Sequence, residues 1–164
     1  MILAGSCAGL ALLVAAGCGG GSKHEAKEQT VTTPLYTYQA PADWTATVAG
    51  RNSIVKNGPD TLVSVTVLPT LKVYRPKLFP RLIGELDEVT GELAGRLEGR
   101  LTAKATMLVA GGRVRQYRIT HGDLVDQLTF VFRGKQEFLL TCRWQQKDGR
   151  PAACDRQTSS FRLR

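Results

Sequence analysis

Residues 101–145 constrain the fold more than any other part of the chain. They read as four segments of strand character joined by three short turns. "LTAKATMLV" places Ala103, Ala105, Met107 and Val109 together. "GG" at Gly111 and Gly112 turns the chain into "RVRQYRIT", and "HGD" at His121 to Asp123 turns it into "LVDQLTFVF", where Leu128, Phe130 and Phe132 align. "RGKQ" at Arg133 to Gln136 leads to "EFLLTCRW", with Phe138, Leu140, Cys142 and Trp144 on one face. Period-two alternation of this kind marks half-buried strands. Connections this short leave no room for a crossover, so consecutive segments pair antiparallel.

The preceding segments fit the same architecture. In "LYTYQAPADW" Tyr36 and Tyr38 alternate onto one face, then a Pro-containing turn leads to Trp44. "NSIVKNGPDTLVSVTV" reads as a hairpin with "NGPD" at Asn57 to Asp60 as its turn, and Val63, Val65 and Val67 share a face. After a loop with Pro69, Pro76 and Pro80, the spacing predicts a helix over residues 80–98. Leu82, Leu86, Val89, Leu93 and Leu97 form one apolar stripe, which needs a sheet face to lie on. Gly84, Gly91, Gly95 and Gly99 project opposite that stripe. They read as an exposed face, or as a surface that admits a close partner. The tail "PAACDRQTSSFRL" predicts a short closing helix with Phe161 as its apolar plug. The expected class is α+β, an antiparallel sheet flanked by helices.

Ahead of this domain the composition changes. Residues 1–17, "MILAGSCAGLALLVAAG", hold no charged side chain and fit the apolar core of a signal peptide. Their length is also near the lower limit for a spanning helix, roughly 17 residues. "Ala15-Ala16-Gly17-Cys18" resembles a bacterial lipobox, with Ala15 where lipoboxes usually carry Leu and no Lys or Arg before the apolar run. The expectation is a lipoprotein signal at residues 1–17, with Cys18 the lipidated first residue of the mature chain. A plain secretory signal and an uncleaved anchor are the alternatives. Residues 18–33 hold no aromatic and one larger aliphatic, Val31, so they read as a flexible tether. The globular domain is expected over residues 34–164.

Cysteine usage agrees with export. Cleavage removes Cys7, lipidation consumes Cys18, and Cys142 and Cys154 remain as an even pair in an oxidising compartment. A bridge would close a loop of about a dozen residues and stabilise the fold by roughly 3 kcal/mol. Two separate reduced thiols are the alternative. A zinc site needs about four ligands. Only His24, in the tether, and His121 are available to join the cysteines, so no metal is expected.

The chain carries 22 Lys and Arg against 14 Asp and Glu, a net charge of +8. A basic exported protein is attracted to anionic lipids or acidic wall polymers, or to an envelope protein of opposite charge. The compartment argues against nucleic acid. From Arg113 to Arg164 eleven Lys and Arg face five Asp and Glu. The candidate polyanion-binding residues are Arg113, Arg115, Arg118, Arg133, Lys135 and Arg143, with a merely solvated strand face as the alternative.

Catalytic signatures are weak. Ser53-Ile54-Val55-Lys56 matches S-x-x-K, but in a strand positions i and i+3 point to opposite faces, whereas that chemistry needs them across one helical turn. "His121-Gly122-Asp123" reads as an ordinary turn. There is no G-x-S-x-G, P-loop, H-E-x-x-H or dinucleotide fingerprint. Neither a catalytic set nor a cofactor is expected; a structural or assembly partner of an envelope complex, or an envelope hydrolase or transferase with an unrecognised site, is the alternative to a binding role.

The "YTYQAPADW" opening with Pro41 and Trp44, the long amphipathic helix, the hairpin-linked strands and the close "TCRW…AACDRQTSSFRL" with Ser160-Phe161 resemble the PsbP-like fold. That fold is shared by oxygen-evolving-enhancer proteins of photosystem II, a yeast Ran-release factor and actinobacterial lipoproteins of the LpqN type. The likeness to those lipoproteins implies an α/β/α sandwich over residues 34–164, a cysteine in the last strand and a second a dozen residues on. It implies an accessory or binding role without a shared catalytic set. Fold alone does not carry function.

Overall fold

The computed structural model describes residues 27–164. Ten strands and two α-helices follow in the order β1 (Glu28–Thr32), β2 (Tyr36–Pro41), β3 (Thr45–Ala49), β4 (Asn52–Asn57), β5 (Thr61–Pro69), α1 (Phe79–Arg96), β6 (Arg100–Val109), β7 (Gly112–His121), β8 (Leu124–Arg133), β9 (Gln136–Gln145), α2 (Ala152–Ser160) and β10 (Arg162–Leu163). Seven strands form one sheet in the order β3-β4-β5-β9-β8-β7-β6, and β1-β2-β10 form a smaller one. Every pairing is antiparallel. The three short turns join β6 to β9 as the sequence predicts. β9 then pairs with β5, which closes the hairpin β4-β5 onto the meander.

The large sheet separates two cores. On one face Val63, Val65, Val67, Phe138, Leu140, Cys142 and Trp144 pack against the small sheet and α2. Tyr36 and Tyr38 are buried there, and both hydroxyls reach Ser53 Oγ, at 2.9 and 3.1 Å. Phe161 is fully buried, edge-on to Phe138 and tilted against Tyr36. On the other face α1 covers Tyr117, Ile119, Leu128 and Phe130. Strand β8, central and covered on both sides, is buried from Val125 to Val131. Among the described residues, the buried apolar side chains run from Val31 to Phe161.

Three expectations need correction. The tether does not run to residue 33: Glu28–Thr32 form β1, paired with β2, and Val31 is buried. Gln29 Nε2 donates to the carbonyls of Pro41 and Trp44, locking β1 onto the turn into β3. Strand β3 itself lacks alternating burial because it is an exposed edge. On α1 the buried positions are Phe79, Leu86, Thr90 and Ala94, while Val89 is exposed. At 100° per residue Val89 sits about 95° from the centre of that stripe. On β6, Ala103 and Ala105 are exposed at the sheet edge, while Met107 and Val109 reach one core and Leu101 packs against the other.

Gly84, Gly91 and Gly95 face open space on α1, but Gly99 lies beyond its end. The amide of Gly99 bonds the Ala94 carbonyl and that of Glu98 bonds the Gly95 carbonyl, a Schellman cap. A Cβ on Gly99 would stand 2.7 Å from the Thr120 carbonyl oxygen, so glycine is required there.

Candidate functional site

Cys18, the expected lipidation residue, lies outside the described residues, as do Cys7 and the expected signal segment. Cys142 and Cys154 form a disulfide, with Cα atoms 5.4 Å apart. Cys142 points from β9 into the core and Cys154 comes from the first turn of α2, so the bridge pins α2 to the sheet.

The six candidate cations split into two groups. Arg115 on β7 donates to both carboxylate oxygens of Asp87 on α1, which also accepts from Lys104 and from the Tyr117 hydroxyl at 2.6 Å. Partial burial raises the Asp87 carboxyl, but the bonds from Tyr117, Lys104 and Arg115 outweigh it and hold the carboxyl below its usual range. Burial and the Asp87 bond push the Tyr117 phenol up to about 12. These contacts fasten α1 to the sheet. Arg143 on β9 donates to both oxygens of Asp126 on β8, at 2.7 and 2.8 Å. His121 Nε2 lies 2.9 Å from the same carboxylate. Asp126 is buried; desolvation raises its carboxyl, and the Arg143 and His121 bonds outweigh that and lower it. Arg118 is half-buried and stacks over Trp144, its Cζ 5.7 Å from the ring centroid. Arg115, Arg118 and Arg143 are therefore spent on contacts within the domain.

Arg113, Arg133 and Lys135 are exposed and stand at one end of the large sheet. Arg133 and Lys135 flank Gly134 in the turn from β8 to β9. The loop after β5 docks on that turn: the amide of Thr70 bonds the Lys135 carbonyl and that of Tyr74 bonds the Gly134 carbonyl. Tyr74 stacks on Phe132, and Arg113 lies over the Phe79 ring at 4.8 Å. A shallow depression beside them is lined by Leu108, Arg133, Thr158, Ser159 and Arg162. The sequence singles out these three cations and a loop with Pro69, Pro76 and Pro80, but the basic and apolar tip of that loop was not among the candidates. Its signal was available: "LKVYRPKL" at Leu71 to Leu78 alternates apolar and basic residues in a segment that is not a strand.

The far end has different chemistry. A depression of about 610 Å³ is lined by Asp60, Asp123, Leu124, Gln145, Gln146 and Lys147. Asp60 accepts from Gln145 Nε2 at 2.7 Å. His121 pairs with Asp126 rather than with Asp123 of its own turn. Ser53 is buried on the face shared with the tyrosines and is not bonded to Lys56, which is exposed.

No family model matches the chain, and no curated protein matches it in sequence. Among solved structures it is similar to cyanobacterial PsbP (CyanoP) from Synechocystis sp. PCC 6803, with a TM-score of 0.61 at 15% identity over 98% of each chain. At that identity the likeness concerns the fold alone. The antiparallel sheets, the two helices and this neighbour together make the chain a protein of PsbP-like fold.

Proposed function

We infer that this chain is an exported lipoprotein of the LpqN type, a PsbP-like α/β/α sandwich anchored through Cys18 on the extracytoplasmic face. It serves a non-enzymatic accessory or binding role at the cell envelope. The observation that carries the reading is the Cys142–Cys154 disulfide. It joins the two cysteines that signal cleavage and lipidation would leave, and such bridges persist in oxidising compartments. The arrangement of the polar side chains supports a binding role over catalysis. The His121 imidazole faces a carboxylate already held by Arg143, and Ser53 Oγ is engaged by two tyrosine hydroxyls. Neither constellation pairs a nucleophile with a base.

Metabolic labelling with a palmitate analogue tests the anchor. Wild-type protein takes up label and Cys18→Ala does not. Equal label in both would remove the anchoring claim.

A further inference from the structure

We propose that the end of the domain formed by the loop at residues 70–78 and the turns β6–β7 and β8–β9 docks on an anionic lipid bilayer, with Leu71 and Val73 entering the interface. Three observations meet there. The first is apolar exposure. Leu71 is 100% exposed, Val73 and Leu78 are about half exposed on the same loop, and Leu108 in the adjoining turn is 72% exposed. The Leu71 side chain has no packing role in the domain.

The second is charge. Residues 68–78, 108–114, 133–136 and 159–164, which meet at this end, hold eight Lys and Arg and no Asp or Glu. Lys72, Arg75 and Lys77 come from the loop, Arg113 and Arg133 from strand ends and Lys135 from the β8–β9 turn. The nearest acidic residue in sequence, Glu137, lies half-buried on the sheet between Leu68 and Phe132, at the base of the tip. The third is rigidity. The Thr70 and Tyr74 amides are bonded to the β8–β9 turn and Tyr74 stacks on Phe132, so the tip is held out from a fixed base. The N-terminus of α1, with its partial positive charge, is at the same end.

Aliphatic groups encircled by cations match the interface of a bilayer with acidic headgroups. Each basic residue near such a surface contributes about 1 kcal/mol, and buried methylenes add to it. A wall polymer would use the cations and leave Leu71 and Val73 without a partner. The membrane setting rests on the envelope reading, but the surface is independent of Cys18.

The test uses residues 19–164, which hold every buried side chain among the described residues and lack the lipidation site, in co-sedimentation with vesicles. Wild type binds phosphatidylcholine–phosphatidylglycerol vesicles and not phosphatidylcholine alone. Arg133→Gln with Lys135→Gln weakens binding by about thirtyfold. Leu71→Ser with Val73→Ser weakens it at least about fivefold. Lys147→Gln, at the far end, leaves it unchanged. Circular dichroism establishes that each variant is folded. Absence of binding, or equal binding to both vesicle types, overturns the proposal. So does full binding by the Leu71/Val73 variant, which would mark a purely electrostatic surface suited to a soluble polyanion. Because this chain carries no lipid, a negative result leaves the Cys18 labelling experiment intact, and the reverse holds too.

Discussion

Asp126 and Glu137 occupy the same face of adjacent strands, yet their titrations are pushed in opposite directions. For Asp126 burial raises the carboxyl, but bonds from Arg143 and His121 lower it more. Its native value lies below the unfolded one, so the stability it contributes is present above the usual carboxylate range and is lost as pH falls through the native value. Glu137 is half-buried between Leu68 and Phe132, and burial alone raises it. There the sign reverses: the penalty for the charged form grows as pH rises through the raised value. Glu137→Gln is therefore expected to melt at a higher temperature than wild type at pH 7, and at the same temperature at about pH 3, where both side chains are neutral. A lower melting temperature at pH 7 would contradict this. At this scale the sequence was only half legible. It identified the basic surplus, but not that Arg115 would find Asp87 and Arg143 would find Asp126, since those partners lie 28 and 17 residues away and meet only through the fold.

The elements with strong patterns were legible because a single face of each is buried: Val63, Val65 and Val67 on β5, and Phe138, Leu140, Cys142 and Trp144 on β9. β1 and β3 were not, because one contributes a single core residue and the other none. The helix was found, but the Leu and Val periodicity misplaced its stripe, because Thr90 and Ala94 take buried positions that hydropathy assigns to Val89. Its end carries a residue-level irregularity. Glu98 adopts φ 51° at the position in the Schellman cap that glycine usually holds. Left-handed backbone costs a side-chain-bearing residue about 1 kcal/mol or more, partly offset in the unfolded chain. Glu98→Gly is expected to stabilise the domain by roughly 0.5 kcal/mol in urea titration. Destabilisation would show that the Glu98 side chain does more than the cap geometry requires.

For the whole molecule, the sheet separates a core closed by α2 and the small sheet from one closed by α1. The disulfide ties α2 to the first, and closing a loop of 12 residues stabilises it by about 3 kcal/mol. The long axis has two unlike ends. One is basic and tipped by Leu71; the other carries Asp60 and Asp123. An anchored domain of this kind would meet the bilayer by one end and present the other. The central claim is export with lipid attachment at Cys18 and oxidation of the remaining cysteine pair. Peptide mass spectrometry of the protein purified from membranes without reductant tests it most directly. The expected result is an N-terminal peptide beginning with acylated Cys18, together with a linked peptide joining Cys142 to Cys154. An unmodified Cys18 still joined to residues 1–17, with free thiols at Cys142 and Cys154, would contradict it.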